Sequence, residues 1–353
     1  MNFTDTKITE IYCLAHDFCK EFTKAVNPKT LGNKAKKLPI LSDSEVITIM
    51  ILFHDKGYKC MKHFYSQYVQ VHLTHMFPKT VSYNRFTELM QSVSLPLSIF
   101  VKTLCLGSCT GITYVDSTPL RVCKNKRIKR NKVFKGIAQI GKSTMGYFYG
   151  FKLHLAINEK GEILNFVITQ GNVDDREPLK NKKFIQKLTG KVYGDKGYVS
   201  KPLAAILFID GIELITGIRN NMKNILMEMQ DKILLRKRSV IETVNDELKN
   251  ICQVEHSRHR SFNNFITNLL AAIATYFFFP KNQPLGLTMI AEKNWDLFIN
   301  RTQVLRLQNE TSKGRGGTRY LPYAFTEQGV AMLSTLQVLH QSIKENGKKC
   351  ERK

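Results

Sequence analysis

Thr113-Tyr114-Val115-Asp116-Ser117-Thr118-Pro119-Leu120 decides how the chain reads. Ile112 to Val115 are β-branched or aromatic, the composition of a short buried strand, and Pro119 predicts its end. Asp116 then stands at the strand's exit, where an α/β sheet braces a side chain from behind and leaves it open in front. Lys124, Lys126, Arg127, Lys129, Arg130, Lys132 and Lys135 follow with no acid among them. A carboxylate beside a cationic strip suits a phosphodiester polymer, with a metal ion bridging carboxylate and phosphate. For any single aspartate, a strand-end turn followed by a solvated basic loop is the simpler explanation.

The totals narrow the class. The chain has 353 residues, 43% of them hydrophobic, which is enough for a sizeable core and more than one ordinary domain. A formal charge of +24 predicts attraction to a polyanion, nucleic acid before an acidic membrane surface, because the cations cluster at 124–135, 232–238 and 256–260. The eight cysteines show no C-x-x-C pair, which argues against zinc and against a secreted disulfide framework. Met1 to Asp5 lacks the basic and apolar regions of a signal peptide. Ile266 to Phe279 is too short and too interrupted by polar residues to cross a bilayer, so it reads as a buried helix. A cytoplasmic, nucleoid-associated protein without a membrane partner is the expectation.

Two more acids join Asp116. Tyr147 to Ile157 and Ile163 to Thr169 alternate around a Gly-containing turn, as a hairpin beside the first strand would. A polar loop carrying Asp174 and Asp175 follows, then a helix-like 178–188. Gly190 to Gly194 reads as another short strand ending in a carboxylate, Asp195, with Gly194 and Gly197 allowing close backbone approach. Leu203 to Phe208 predicts a helix and Ile212 to Ile218 a strand. Lys237 to Cys252 predicts a single helix with Arg238, Glu242, Asn245 and Lys249 on one face. A solvated Arg–Glu pair accounts for Glu242 by itself. Taken with two strand-end aspartates in a basic chain, Glu242 reads as a third carboxylate aimed at them.

Before this region the pattern is helical. Ile8, Ile11, Leu14, Ala15, Phe18 and Phe22 recur at helical spacing, and Ser42 with Glu45 makes a capping box for a second helix. Further helices are predicted over 61–73 and 83–93. Such a module could bind DNA or simply cap the next domain. A helix over 263–279 is expected to close the back of the sheet.

YVDSTPL, CKNKRIKRNKVFKG, YGFKLHL, the segment 169–176, YGDKGY and RKRSVIETVNDELKN together resemble the DDE transposases of bacterial insertion sequences. Arg238-x3-Glu242-x6-Lys249 is similar to the signature around that family's third acid, with Leu235 standing where its Tyr is expected. The resemblance implies an α/β, ribonuclease-H-like mixed sheet flanked by helices over 107–280, after a helical, DNA-binding module over 1–106. It implies that Asp116, Asp195 and Glu242 are the catalytic residues and the ligands of two Mg²⁺ ions, for which Mn²⁺ substitutes. It further implies cleavage of double-stranded element ends and their transfer to target DNA by a homo-oligomer. Arg238 and Lys249 are expected at phosphates near the acids, and Lys124, Lys126, Arg127, Lys129, Arg130, Lys132, Arg258, His259 and Arg260 along the wider DNA track. Asp175 reads as a turn or supporting residue and His154 as a core histidine. A cleavage-only nuclease of the same fold and a non-catalytic DNA-binding regulator remain open.

Pro280 to Pro284 breaks the pattern. Beyond it, RYLPYAFTEQGVAML resembles the N-terminal DNA-binding domain of prophage antirepressor-type proteins, of which 285–353 holds only the later part. A small α-rich appendage, joined where a transposase reading frame runs into another gene, is the reading.

Overall fold

The computed structural model describes residues 3–25, 39–218, 226–255 and 259–279. They fall into two compact units, one made of residues before Leu106 together with those after Glu255, the other of Leu106–Glu255. Arg258 and the 285–353 appendage lie outside the described residues.

The first unit is helical. α1 (Asp5–Ala25) buries Ile8, Ile11, Ala15 and Phe18, the stripe its periodicity predicts. α2 (Asp43–Asp55) starts at the predicted capping box: the Glu45 amide donates to Ser42 Oγ (3.3 Å) and the Ser42 amide to Glu45 Oε2 (2.7 Å). α2 is buried from Val46 to Asp55, which makes it the central helix of the unit. The helix expected over 61–73 is interrupted: α3 (Met61–His63) and α4 (Gln70–His72) flank a π-turn, Phe64–Val69. The wider turn accompanies burial of Phe64, Tyr65 and Val69, and Tyr65 stacks on Phe86 at 4.2 Å. α5 (Tyr83–Ser92) matches expectation, whereas α6 (Ser94–Leu104) has no counterpart in the sequence reading; its Pro96 is tolerated in a first helical turn.

The second unit is a six-stranded mixed sheet. β1 (Ile112–Cys123) lies between β3 (Gly146–Ile157), antiparallel to it, and β5 (Gly190–Gly194), parallel to it. β2 (Gln139–Ser143) and β4 (Ile163–Gln170) pair with successive halves of β3, and β6 (Ile212–Thr216) extends the parallel side. Antiparallel neighbours on one side of β1 and parallel ones on the other make the ribonuclease-H-like sheet. β2 has no counterpart in the sequence reading. α7 (Lys182–Ile185) and α8 (Lys201–Ile209) bury Phe184, Ile185, Leu203 and Leu207 against Val115, Ala156 and Val192. The helix expected over 178–188 is in fact a 3₁₀ turn, Glu177–Lys180, followed by the single-turn α7.

Three corrections bear on the site. The first strand does not stop at Pro119 but runs on to Cys123. Past Tyr114 it is paired with β3 alone, and on such an edge a proline's missing N–H can be tolerated. The helix expected over 237–252 is α10 (Ser239–Asp246) continued by a π-turn, Glu247–Ile251, and is preceded by α9 (Met229–Lys237). α9 is tied to β5 through Asp231, which accepts from Lys191 Nζ (2.9 Å) and the Tyr193 hydroxyl (2.8 Å). Finally, α11 (Phe262–Phe277), expected behind the sheet, belongs to the helical unit. It packs on α2, α5 and α6, and Thr275 Oγ1 donates to the Ile51 carbonyl at 3.0 Å.

Candidate active site and nucleic-acid interface

Register brings the two aspartates together. The last parallel pair between β1 and β5 is Tyr114 with Tyr193. Asp116 and Asp195 each lie two residues beyond it, so they leave neighbouring strands at the same height and, by the period-two rule, on the same face. Asp116 is therefore in mid-strand, yet it sits where β5 departs and one edge of β1 opens. Asp195 caps the short 3₁₀ turn Lys196–Tyr198, its Oδ1 accepting from the Gly197 amide at 2.9 Å. Gly194 lets the Tyr198 side chain come close, since a Cβ there would meet it at 3.0 Å.

Electrostatics supports the same grouping. Burial pushes the Asp116 carboxyl up to about 6; the Ser117 backbone and the Arg238 charge oppose this, while Asp195 and Asp175 add to it. Buried Tyr198 is raised by burial and then by the charges of Asp116, Asp175 and Asp195. Asp175 is held in place: its Oδ1 accepts from Ser117 Oγ (2.7 Å) and from Lys152 Nζ (2.8 Å). The lysine also donates to the Val173 carbonyl at 2.8 Å. A cavity of about 390 Å³ adjoins this network, lined by Lys142, Tyr147, Lys152, Asp174, Asp175 and Gly197 among others. Asp174 forks onto Arg176 (2.7 and 2.8 Å), which lowers its pKa. His154 is buried, bonded through Nε2 to Thr169 Oγ1 at 2.8 Å, and burial lowers it to about 4.

Helix α10 reaches the pair through a residue to which the sequence reading gave no role. Asn245, 8% exposed, donates from Nδ2 to Asp116 Oδ2 at 3.0 Å. Its position on the Glu242 face was the one available signal. Glu242, one turn earlier, is 62% exposed and accepts from Arg238 Nη2 at 2.9 Å. Lys249 lies in the π-turn and pairs with Glu255 at 3.8 Å. Among the described residues, no three His, Cys, Asp or Glu side chains stand close enough as they are to hold a metal ion.

The donor set nevertheless suits a hard divalent cation. Asp195 and Asp175 act electrostatically on Asp116, and beside Asp116 the buried Asn245 Oδ1 has no hydrogen-bond partner. Asp116, Asp195 and Asn245 Oδ1 offer oxygen only, which favours Mg²⁺ or Mn²⁺ over softer-site metals.

The cationic strip is built on the sheet. Lys124, Lys126, Arg127, Lys129, Arg130, Lys132 and Lys135 are all exposed, and none makes an ion pair among the described residues. The 3₁₀ turn Asn125–Arg130 is fixed by Asn125 Nδ2 donating to the Tyr147 carbonyl (2.9 Å), and buried Phe134 packs edge-on against Phe151. His259 and Arg260 belong to the helical unit. Arg260 is exposed, but His259 lies against Phe265 and burial, then His54, lowers it to about 3, so it carries no charge to a phosphate at neutral pH.

No described helix is long and apolar enough to cross a membrane. No curated protein matches the chain. Among solved structures the chain is similar to one described as a piggyBac transposase synaptic complex with hairpin DNA, with 11% identity over 93% of this chain and 87% of that one and a TM-score of 0.43. At that score the likeness carries no weight for the site. Residues 106–262 match the family described as Transposase DDE domain, and residues 286–336 match the ORF6N domain. The sheet that holds Asp116 and Asp195 thus lies within the segment that matches the transposase DDE domain, and the ORF6N match follows it in the chain.

Proposed function

We propose that this protein binds the ends of an insertion sequence and catalyses metal-dependent cleavage and strand transfer of DNA. The observation that carries the proposal is the register of β1 and β5, which sets Asp116 and Asp195 side by side with α10 bonded to the first. Asp116, Asp195 and Glu242 would hold Mg²⁺, or Mn²⁺ in its place. Bound there, the ions would activate water or a DNA 3′-hydroxyl and stabilise the leaving oxygen. Glu242 joins the aspartates only when Arg238 releases it, and an incoming phosphate is a competing partner for that guanidinium. Arg238 therefore both spaces the acids and receives the anion.

Lys124, Lys126, Arg127, Lys129, Arg130 and Lys132 would track the DNA backbone, with Lys249, Arg258 and Arg260 as further phosphate contacts. A homo-oligomer on paired ends, in the cytoplasm with the nucleoid, completes the reading. The Arg238–Glu242 pair is also the one observation that favours a non-catalytic DNA-binding regulator. Labelled element ends and a target plasmid distinguish the alternatives when Asp116→Asn, Asp195→Asn and Glu242→Gln are tested singly. Cleavage and joining lost with DNA binding kept supports the proposal. Unchanged cleavage removes these acids from it, and cleavage without joining leaves a nuclease.

A further inference from the structure

Asn245 stands apart from the three acids of the proposed site, and its two ends are treated very differently. Nδ2 is bonded to Asp116 Oδ2 at 3.0 Å, while Oδ1 is buried without a partner. An unmet buried acceptor costs about 1–3 kcal/mol, so a fold that keeps one needs a compensating use for it. The cost is avoidable here. A leucine would fill a similar volume among Ile241, Val244 and Leu248, which are already buried on the same helix. The amide is short and planar, so its oxygen lies within one amide width of the hydrogen bond to Asp116. Asp116, the carboxylate bonded to the other end of the amide, is an acceptor when ionised and cannot satisfy it. A donor from outside the chain, or a cation, would meet that oxygen.

We propose that Asn245 is a divalent-cation ligand of this site through Oδ1, and that it positions Asp116 through Nδ2. This rests on the metal-dependent reading above. The carboxamide serves better than a fourth carboxylate: it supplies an oxygen without adding charge to a group of three aspartates, and its N–H holds Asp116 by Oδ2 and leaves Oδ1 of that residue outside the bond. It also gives the site an oxygen from α10 that does not depend on Glu242 leaving Arg238.

Mn²⁺ binding to the full-length protein without DNA, measured by the loss of free Mn²⁺ spin-resonance signal, tests the proposal apart from activity. Asn245→Leu should weaken Mn²⁺ binding about tenfold or more while the protein still melts cooperatively. Asn245→Asp keeps an oxygen and loses the donor, and should bind Mn²⁺ within a few-fold of the parent. Leu and Asp variants that lose binding alike would show that only the N–H matters, and would overturn the ligand role. A leucine variant that binds like the parent overturns the whole proposal. Should Asn245→Leu fail to fold, the rise in melting temperature of Asn245→Asp on adding Mn²⁺ replaces it: a rise like the parent's supports the proposal and no rise defeats it. Asp116→Asn is the control. If that variant also binds Mn²⁺ like the parent, the metal site itself is misplaced, and the failure belongs to the functional reading.

Discussion

Each unit contains an aspartate whose carboxyl is raised by burial, Asp55 buried and Asp116 half-buried, and the two are surrounded in opposite ways. Asp55, in the helical unit, accepts from the Phe3 amide at 2.6 Å and lies 3.6 Å from Lys56 Nζ, and its named neighbours all act to lower it. Asp116, in the sheet unit, has Arg238 as its one cationic neighbour of note, and faces two further aspartates that raise it. A carboxylate answered by a lysine has its charge met within the chain. One faced by other carboxylates is stable only with a cation supplied from elsewhere, which is how a site differs from a staple.

The sharpest break of this contrast is at Asp116. Asp116→Asn should reduce DNA cleavage by on the order of a thousandfold or more, and adding Asp195→Asn should cost little further, since residues acting as a unit are not additive. Gel assays on a labelled substrate read both, and additive losses would separate the two aspartates. Next comes Asp55→Ala, which strands Lys56 and the Phe3 amide. A loss of about 2 kcal/mol in urea unfolding, with cleavage per folded molecule unchanged, is expected. Lost cleavage at full stability would erase the distinction.

His259 offers a pH test in the helical unit. Its folded value is lowered to about 3 from an ordinary 6.5, so the unfolded chain binds its proton first as pH falls. The stability it contributes is complete above about 6.5 and is lost as pH drops towards 3. In His259→Gln the urea midpoint should fall less between pH 7 and pH 5 than in the parent. An equal fall would show that the ring is not held neutral. The smallest effect is in the strip. Arg127→Ala with Lys129→Ala should lower the slope of log affinity against log salt by about one for each phosphate no longer neutralised, read by anisotropy on a DNA duplex. An unchanged slope would place the DNA elsewhere.

Much of the second unit was legible because its signals are local. The alternation of β3 and β4, the glycines around Asp195 and the dense run from Lys124 to Lys135 each report on their immediate neighbours. The capping box at Ser42 is legible for the same reason. Errors arose where a residue's meaning depends on what lies beside it. Pro119 reads as a stop because its edge-strand setting is not written in the neighbouring residues. The π-turns at Phe64–Val69 and Glu247–Ile251 leave no mark in a 3.6-residue period until packing imposes them.

From the sequence alone come the residue types and their order: a β-forming stretch before each of two aspartates, a basic strip, a helical stretch carrying Arg238, Glu242 and Asn245, and hence the resemblance to a family. Which of these meet was decided only by tertiary structure. The parallel pairing of β1 with β5 levels Asp116 with Asp195, and α10 presents Asn245 to Asp116 while Glu242 turns to Arg238. Strand register and helix rotation depend on packing between residues far apart in the chain, and no local pattern of side chains fixes them.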